Sequence, residues 1–411
     1  MNSNQFLIPF STAVPSLAPV LLLALLGCSH GRAPLFVPDP GSDPDTESDT
    51  GVIAEDLSFS HTLRASIDVG VQAVDLMLLL DTTGANTWRT LPALSDAFEA
   101  ITAGLDVSMP DNAVGLATFE DYNYVGMGAS TDLPFRLNQQ ISVEPSAVQQ
   151  ALGAVESGFG GDPPESTIEA IYQTLTGDGY DQQNDGFFDA TTDVAPFSAH
   201  QDDLFAGQVS GTGNPNLDSG GSRGGVGFRE GSLPVVLYFT DAALRDPEAG
   251  YATPASANQT AGSSDVVQAA QAIDAQVIAV HPTDVDSAAQ SMLALGAALQ
   301  QPVYQWSNAV GSNEPMGAVV LGAVNGAIDD AHFDKVTAVI RHDWGFKLTV
   351  SPPSYSNITI GSGPLSLPFE VHVEGVIASE APATYYPMTL EVYSDGGALL
   401  GSTDISLDLT P

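Results

Sequence analysis

The sequence predicts an α/β domain built on a mostly parallel sheet flanked by helices, followed by a small C-terminal β-sandwich. Three observations carry this. Between about residues 56 and 332, continuous apolar runs alternate with segments of helical period, the pattern of strand-helix-strand units. From about Lys335 the texture changes to short β-branched and aromatic runs, DKVTAVI, FKLTVSPP, FEVHVEG and YPMTLEVYSDGG, separated by Gly, Pro and Ser. A chain of 411 residues is also long for one domain and ordinary for two.

Each element has its own reason. Residues 74–80 are apolar apart from Asp75, which suits a central parallel strand covered on both faces. Residues 88–101 place Leu91, Leu94, Phe98 and Ile101 on one helical face. Residues 113–119 form a second strand. Residues 146–155, preceded by Pro145, and 167–175 follow as helices. PVVLYFT at 234–240 is another buried strand. A helix at 265–274 leads to the strand QVIAVH at 276–281. Residues 289–300 and 315–328 are Ala-, Gly- and Leu-rich helices. Residues 176–232 break the alternation. They are rich in Gly, Asp, Asn and Ser, and a loop of this length inside a compact domain is often functional. The predicted domain then spans 56–332, and the sandwich 333–411.

The N-terminus has a different character. Residues 17–27 end in VLLLALLG, too short to span a bilayer as a mature helix and suited to the apolar core of an export signal. The only cysteine, Cys28, follows directly. The LLGC ending resembles the lipobox of bacterial lipoprotein signal peptides. That implies a signal peptide over 1–27 and a lipidated Cys28, although residues 1–27 lack Lys and Arg. Ser29 after the cysteine implies, by the same resemblance, sorting to the outer membrane or cell surface. Residues 28–55 are Pro-rich and acidic, with no apolar period, and fit a tether.

Composition narrows the function. The chain has 50 Asp and Glu against 10 Lys and Arg, a formal charge of −40. With no basic cluster to meet a phosphate backbone, nucleic-acid binding is disfavoured, as is electrostatic docking to an anionic bilayer. The seven histidines are scattered without HExxH or another close pair, neither Ser232 nor Ser264 lies in a GxSxG context, and the run GGSRGG has the wrong surroundings for a glycine-rich functional loop. No nucleophile arrangement, P-loop or Rossmann glycine pattern emerges, so a non-enzymatic role is expected.

Three acidic clusters lie at predicted strand ends or helix starts: Asp81 and Thr83 in VDLMLLLDTTGAN, Asp162 and Glu165 in GGDPPEST, and Asp241 in LYFTDA. Carboxylates and a hydroxyl converging on the carboxyl edge of a sheet form a hard oxygen set suited to Mg²⁺ or Ca²⁺. A lone Asp at a strand end is more often a turn former; three clusters in order are a stronger signal.

On these residues the block at about 70–330 resembles a von Willebrand factor type A domain, specifically the integrin β-subunit variant. Asp81 and Thr83 match the first two ligands of that family's metal-ion-dependent adhesion site, and Ala85 stands where its next hydroxyl belongs. Glu165 of DPPE matches the carboxylate that completes the site, and Asp241 its third loop. Asp121, in VGLATFEDY, matches an acid of a neighbouring stabilising metal site, with Asp162, the Pro164 carbonyl and Glu165 as its other ligands. Gly160 replaces an Asn there. The acid pair of a third adjacent site is absent, with Trp88 and Arg89 in that region. The resemblance implies Mg²⁺ at the first site, Ca²⁺ at the second, and a protein ligand that offers a carboxylate or a backbone oxygen. The sandwich resembles an immunoglobulin-like module in size and turn spacing.

A further acidic motif, DQQNDGFFD at 181–189, resembles the first nine positions of a DxDxDG calcium loop. Asp181, Gln183, Asp185 and Asp189 would offer side-chain oxygens and Phe187 a carbonyl, with Gly186 for the sharp turn; the closing Glu is replaced by Thr192. The expected function is therefore a surface-anchored, divalent-cation-dependent adhesion or protein-binding module, as a monomer or part of a surface assembly. The alternative is a structural cell-envelope lipoprotein whose metal site is degenerate or purely stabilising.

Overall fold

A computed structural model of the chain describes residues 56–217, 220–254, 260–283, 286–307, 309, 314–361, 365–378 and 383–409. The export signal, Cys28 and the tether read from the sequence lie outside the described residues. All described residues belong to one compact unit.

The chain begins with strand β1 (Asp56–Val69), then β2 (Val74–Asp81), helix α1 (Gly84–Ser108), β3 (Asn112–Phe119), β4 (Arg136–Ser142), α2 (Pro145–Gly153), the short β5 (Pro164–Glu165) and α3 (Thr167–Thr176). After the long loop come β6 (Leu233–Phe239), the short β7 (Ala243–Leu244), α4 (Ser263–Ala272), β8 (Gln276–Pro282), α5 (Asp286–Leu299), β9 (Val303–Trp306) and α6 (Met316–Asp329). Six strands close the chain: β10 (His332–Arg341), β11 (Lys347–Ser351), β12 (Ser354–Thr359), β13 (Leu365–Ala378), β14 (Thr384–Ser394) and β15 (Leu399–Leu409).

A six-stranded sheet has the order β4-β3-β2-β6-β8-β9, with every neighbour parallel except the edge pair β3–β4. Every residue of β2, β6 and β8 is buried, which explains their unbroken apolar runs. Side chains alternate across this sheet as the pleat requires. Leu76, Leu78 and Leu80 share a core with Phe98 and Ile101 of α1, Leu152 of α2 and Val320 of α6. Met77 and Leu79 share the other core with Ile171 of α3, Val266 of α4 and Met292 of α5.

Among the described residues antiparallel neighbours are in the majority, six of the eleven strand pairings. Most belong to two further sheets, β1-β13-β11 and β12-β10-β14-β15. Here the structure departs from the expected domain limits. Residues 56–69 do not join the α/β sheet; β1 pairs with β13 along its length, from Asp56 opposite Ala378 to Val69 opposite Leu365. The antiparallel unit is thus assembled from both ends of the described chain, with the α/β segment inserted between β1 and β10. Ile67 and Val69 lie in one buried cluster with Phe369, Leu390 and Leu407, and that cluster continues into the α1 and α6 face of the six-stranded sheet.

Other differences are local. Helix α1 is longer than expected, 25 residues, and carries Pro92 inside it. The edge strands β4 (RLNQQIS) and β9 (VYQW) were not anticipated. Within the long loop, the described residues after Thr176 form no helix and only isolated bridges, Tyr180 to Val194, Arg223 to Phe228 and Gly231 to Ala398. The loop is anchored by buried Tyr180, Val194, Phe205, Val226 and Phe228. An ion pair fixes its end: Arg229 Nε meets Asp75 Oδ1 at 2.7 Å. Asp75 is the one polar residue in β2's apolar run, and Ser232 Oγ also donates to it at 2.8 Å.

Candidate functional site

Strands β3, β2 and β6 are adjacent and parallel, so their carboxyl ends bring Asp121, Asp81 and Asp241 to one edge. The short pair β5–β7 adds the fourth group. Pro164 lies opposite Ala243 and Glu165 opposite Leu244, which carries Glu165 to the loop that follows β6. The result is an open cleft of about 550 Å³ lined by Thr83, Gly160, Asp162, Glu165, Asp241 and Tyr251, among others. Phe159, on its wall, is exposed, as is Trp88 of α1.

Asp81 is fully buried. Its Oδ1 accepts from the Thr83 backbone N–H at 2.8 Å and the Thr83 hydroxyl at 2.7 Å, and its Oδ2 accepts from Thr240 Oγ1 at 2.6 Å. Burial nevertheless raises its pKa, and the charge of Asp241 adds to the rise. Glu165 is under more strain. Burial pushes its pKa far above the usual carboxylate range, with further pushes from Asp81 and Asp121. Its Oε2 is buried without a hydrogen-bond partner. The Arg89 guanidinium lies 3.9 Å from Asp241 Oδ2, an ion-pair distance beyond hydrogen-bond range.

The backbone is shaped to fit this edge. Gly160 has φ +61°, and a Cβ there would come within 2.9 Å of Glu165 Oε1. Asp132, fully buried, accepts from the Gly160 N–H at 3.0 Å and holds that loop. Asn86 Nδ2 donates to the Asp81 carbonyl at 2.7 Å, and Thr90 donates to Asn86 Oδ1 at 2.6 Å, which fixes the start of α1 to the end of β2.

The second set of expected ligands, Asp121, Asp162 and the Pro164 carbonyl, is also brought together, but around a side chain. Arg245 is 2% exposed; its Nε donates to Asp121 Oδ1 at 3.0 Å and its Nη2 to Asp121 Oδ2 at 2.6 Å. The same Nη2 donates to Asp162 Oδ1 and, at 2.7 Å, to the Pro164 carbonyl. Nη1 donates to the Ala252 carbonyl at 3.0 Å. Burial outweighs the guanidinium at Asp121 and lifts its pKa to about 6, so the pair is ionised at neutral pH. The residues expected to hold Ca²⁺ here do not fit a cation, because a guanidinium already uses their oxygens.

The 181–189 loop is not arranged as a ligand set either. Its carboxylates cap its own backbone: Asp181 Oδ2 accepts from Gly186 N–H at 2.7 Å, Asp185 from Phe187 N–H at 2.8 Å, and Asp189 from Thr191 N–H at 2.9 Å. Gln183 turns to Thr192 at 3.0 Å, and the Phe187 side chain is exposed. Among the described residues no group of three or more Asp, Glu, His or Cys side chains closes on one point. In the first set, the oxygens whose placement would fit a cation are the Thr83 hydroxyl and the unpartnered Glu165 Oε2.

Sequence reasoning missed Arg245, Asp132, Asn86 and the role of Thr240. Arg245 left one signal: it is one of only 10 basic residues and lies four positions after Asp241. His281, near the end of β8, is buried with Nδ1 2.8 Å from the Pro282 carbonyl.

No protein-family model and no curated protein matches the chain. Among solved structures it is similar to the SpRpn10 VWA domain, at 10% identity and TM-score 0.30 over 62% of this chain and 94% of that one. It is also similar to the pilus adhesin SpaC from Lactobacillus rhamnosus GG in its open conformation, at 12% identity and TM-score 0.34 over 87% of this chain. The chain spans 47% of that adhesin's length.

Proposed function

We propose that the chain is a binding protein of the von Willebrand factor A type, and not an enzyme, that captures a protein partner at the carboxyl edge of the six-stranded sheet with the help of one divalent cation. A single observation carries this reading: Glu165 lines the cleft, yet its Oε2 is buried with no hydrogen-bond partner. A buried, unpartnered carboxylate oxygen is costly unless something else satisfies it. The residues that would hold Mg²⁺ are Thr83 and Glu165 directly, with Asp81 and Asp241 through water. Bound there, the cation supplies an open coordination position for an outside oxygen, such as a carboxylate. The chain's own contribution is orientation. The three donors on Asp81 fix its carboxylate, Asp132 fixes the loop opposite, and exposed Phe159 offers apolar contact on the cleft wall. Lipid anchoring through Cys28 at the outer membrane or cell surface would place this cleft before extracellular partners.

The test is capture of a partner or carboxylate-bearing probe with and without Mg²⁺. Asp241→Ala, at a half-buried position, should keep the fold and lose Mg²⁺-dependent capture, as should Asp81→Ala. Undiminished, Mg²⁺-dependent capture by both variants would reject the reading. A second reading, a structural envelope lipoprotein with a degenerate site, is favoured by the position of Arg89 3.9 Å from Asp241 and by the missing hydroxyl at Ala85. It predicts that Mg²⁺ raises stability without raising affinity for anything.

A further inference from the structure

The group of oxygens beside the cleft contains its own cation. Asp121 comes from the end of β3, and Asp162 and the Pro164 carbonyl from the turn into β5; all three accept from the guanidinium of Arg245. Both oxygens of Asp121 are engaged, and Oδ1 also accepts from the Tyr122 N–H at 2.8 Å. A metal ion using these ligands would have to evict a guanidinium that is almost fully enclosed and would leave that charge without partners, which is strongly unfavourable. The planar fork suits this task better than an ammonium, since Nε and Nη2 meet the two oxygens of one carboxylate.

The position of Arg245 in the chain adds to this. It follows β7 directly, and its own N–H donates to the Glu165 carbonyl at 2.8 Å. The segment that pairs with β5 therefore also neutralises the acids around β5. We propose that Arg245 permanently replaces a divalent cation at this second position, so that Glu165 is presented to the cleft without calcium and the sheet edge has room for one metal ion at most. The chain thereby gains independence from Ca²⁺ where a metal-clamped loop would loosen whenever Ca²⁺ fell.

This inference does not need the cleft itself to bind metal or partner, and its test reads Ca²⁺ alone. Bound Ca²⁺ per chain is measured by equilibrium dialysis on the metal-stripped full chain. Asp162, 36% exposed, is a position where Asp162→Asn should leave the fold intact. Wild type and Asp162→Asn should bind the same number of ions at about 10 mM Ca²⁺, above the ~1 mM range of weak sites. Loss of one ion on Asp162→Asn would overturn the proposal. In the converse arm, Arg245→Met should gain one Ca²⁺ per chain that the double variant with Asp162→Asn loses. It should also melt several degrees lower in EDTA and recover part of that loss in Ca²⁺. A folded Arg245→Met that gains no Asp162-dependent ion also overturns it; if Arg245→Met fails to fold, the wild-type comparison decides alone.

Discussion

Two neighbouring clusters at one sheet edge use the same chemistry and end in opposite states. Around Asp121, two carboxylates and a carbonyl are met by Arg245. Around Glu165, the nearest carboxylates raise its pKa further, and one buried oxygen has no hydrogen-bond partner. The contrast separates scaffold from site. Where a fixed cation from the chain completes the cluster, the arrangement is closed and holds a loop in place. Where it does not, the arrangement keeps an unmet demand for positive charge or a proton, and that demand can be met from outside.

The largest way to break the contrast is to remove the fixed cation. Arg245→Met leaves Asp121 buried without its partner, and breaking one side of a buried pair costs about 3–5 kcal/mol. Urea denaturation in EDTA should show that loss; a change below about 1 kcal/mol would mean the pair contributes no more than an exposed one.

The next effect is on pH. Glu169, buried in α3, has its pKa raised from 4.5 to about 7 by burial, although Ala261 N–H and Gln173 Nε2 donate to it. The folded state therefore holds a proton there that the unfolded chain releases between about pH 4.5 and 7. Its contribution to stability is complete below 4.5 and is lost as pH rises through about 7. The metal-free protein should be more stable at pH 5 than at pH 8, and Glu169→Gln should flatten that slope by roughly 1–3 kcal/mol. An unchanged slope in Glu169→Gln would assign the pH dependence to other acids.

How much of this was legible depended on what each signal was made of. Strands β2, β6 and β8 are buried on both faces, so their composition announces them. The edge strands β4 and β9 carry polar side chains, so an apolar-run criterion passes over them. β1 was misplaced because nothing local says that its partner lies some 300 residues away in β13. Asp81, Thr83 and Asp241 were legible as neighbours because topology puts the ends of β2 and β6 at one edge; Glu165 reaches that edge through the β5–β7 pair, and only the family resemblance pointed to it. The Asp121 cluster was legible as a group of oxygens, but the arginine that meets them was not. Whether such a group faces an ion or an arginine depends on the direction of one long side chain from a separate segment, and spacing does not encode it.

Smaller effects sharpen the open cluster. Glu165 in the metal-free protein is held neutral at pH 7 by burial and by its acidic neighbours. Glu165→Gln, equal in shape and also neutral, should then change stability in EDTA by less than about 1 kcal/mol. It should still abolish the stabilisation that Mg²⁺ gives wild type. A large loss in EDTA would mean the carboxylate is ionised and partnered within the fold, which would close the difference between the two clusters.

The smallest predicted effect concerns Arg89. Its guanidinium stands 3.9 Å from Asp241 and remains one-third exposed, so solvent screens the pair and its worth is about 0–1 kcal/mol. The charge nevertheless opposes any divalent cation that shares Asp241. Arg89→Gln should therefore leave thermal stability nearly unchanged and tighten Mg²⁺ binding about 2–5-fold in calorimetry at low salt, with the gain shrinking as ionic strength rises. Arg245 sits close by with the same charge, but every donor it turns toward the acids is already engaged. If Arg89→Gln weakened Mg²⁺ binding instead, Arg89 would belong with Arg245 as a structural cation, and the open cluster would be narrower than the cleft suggests.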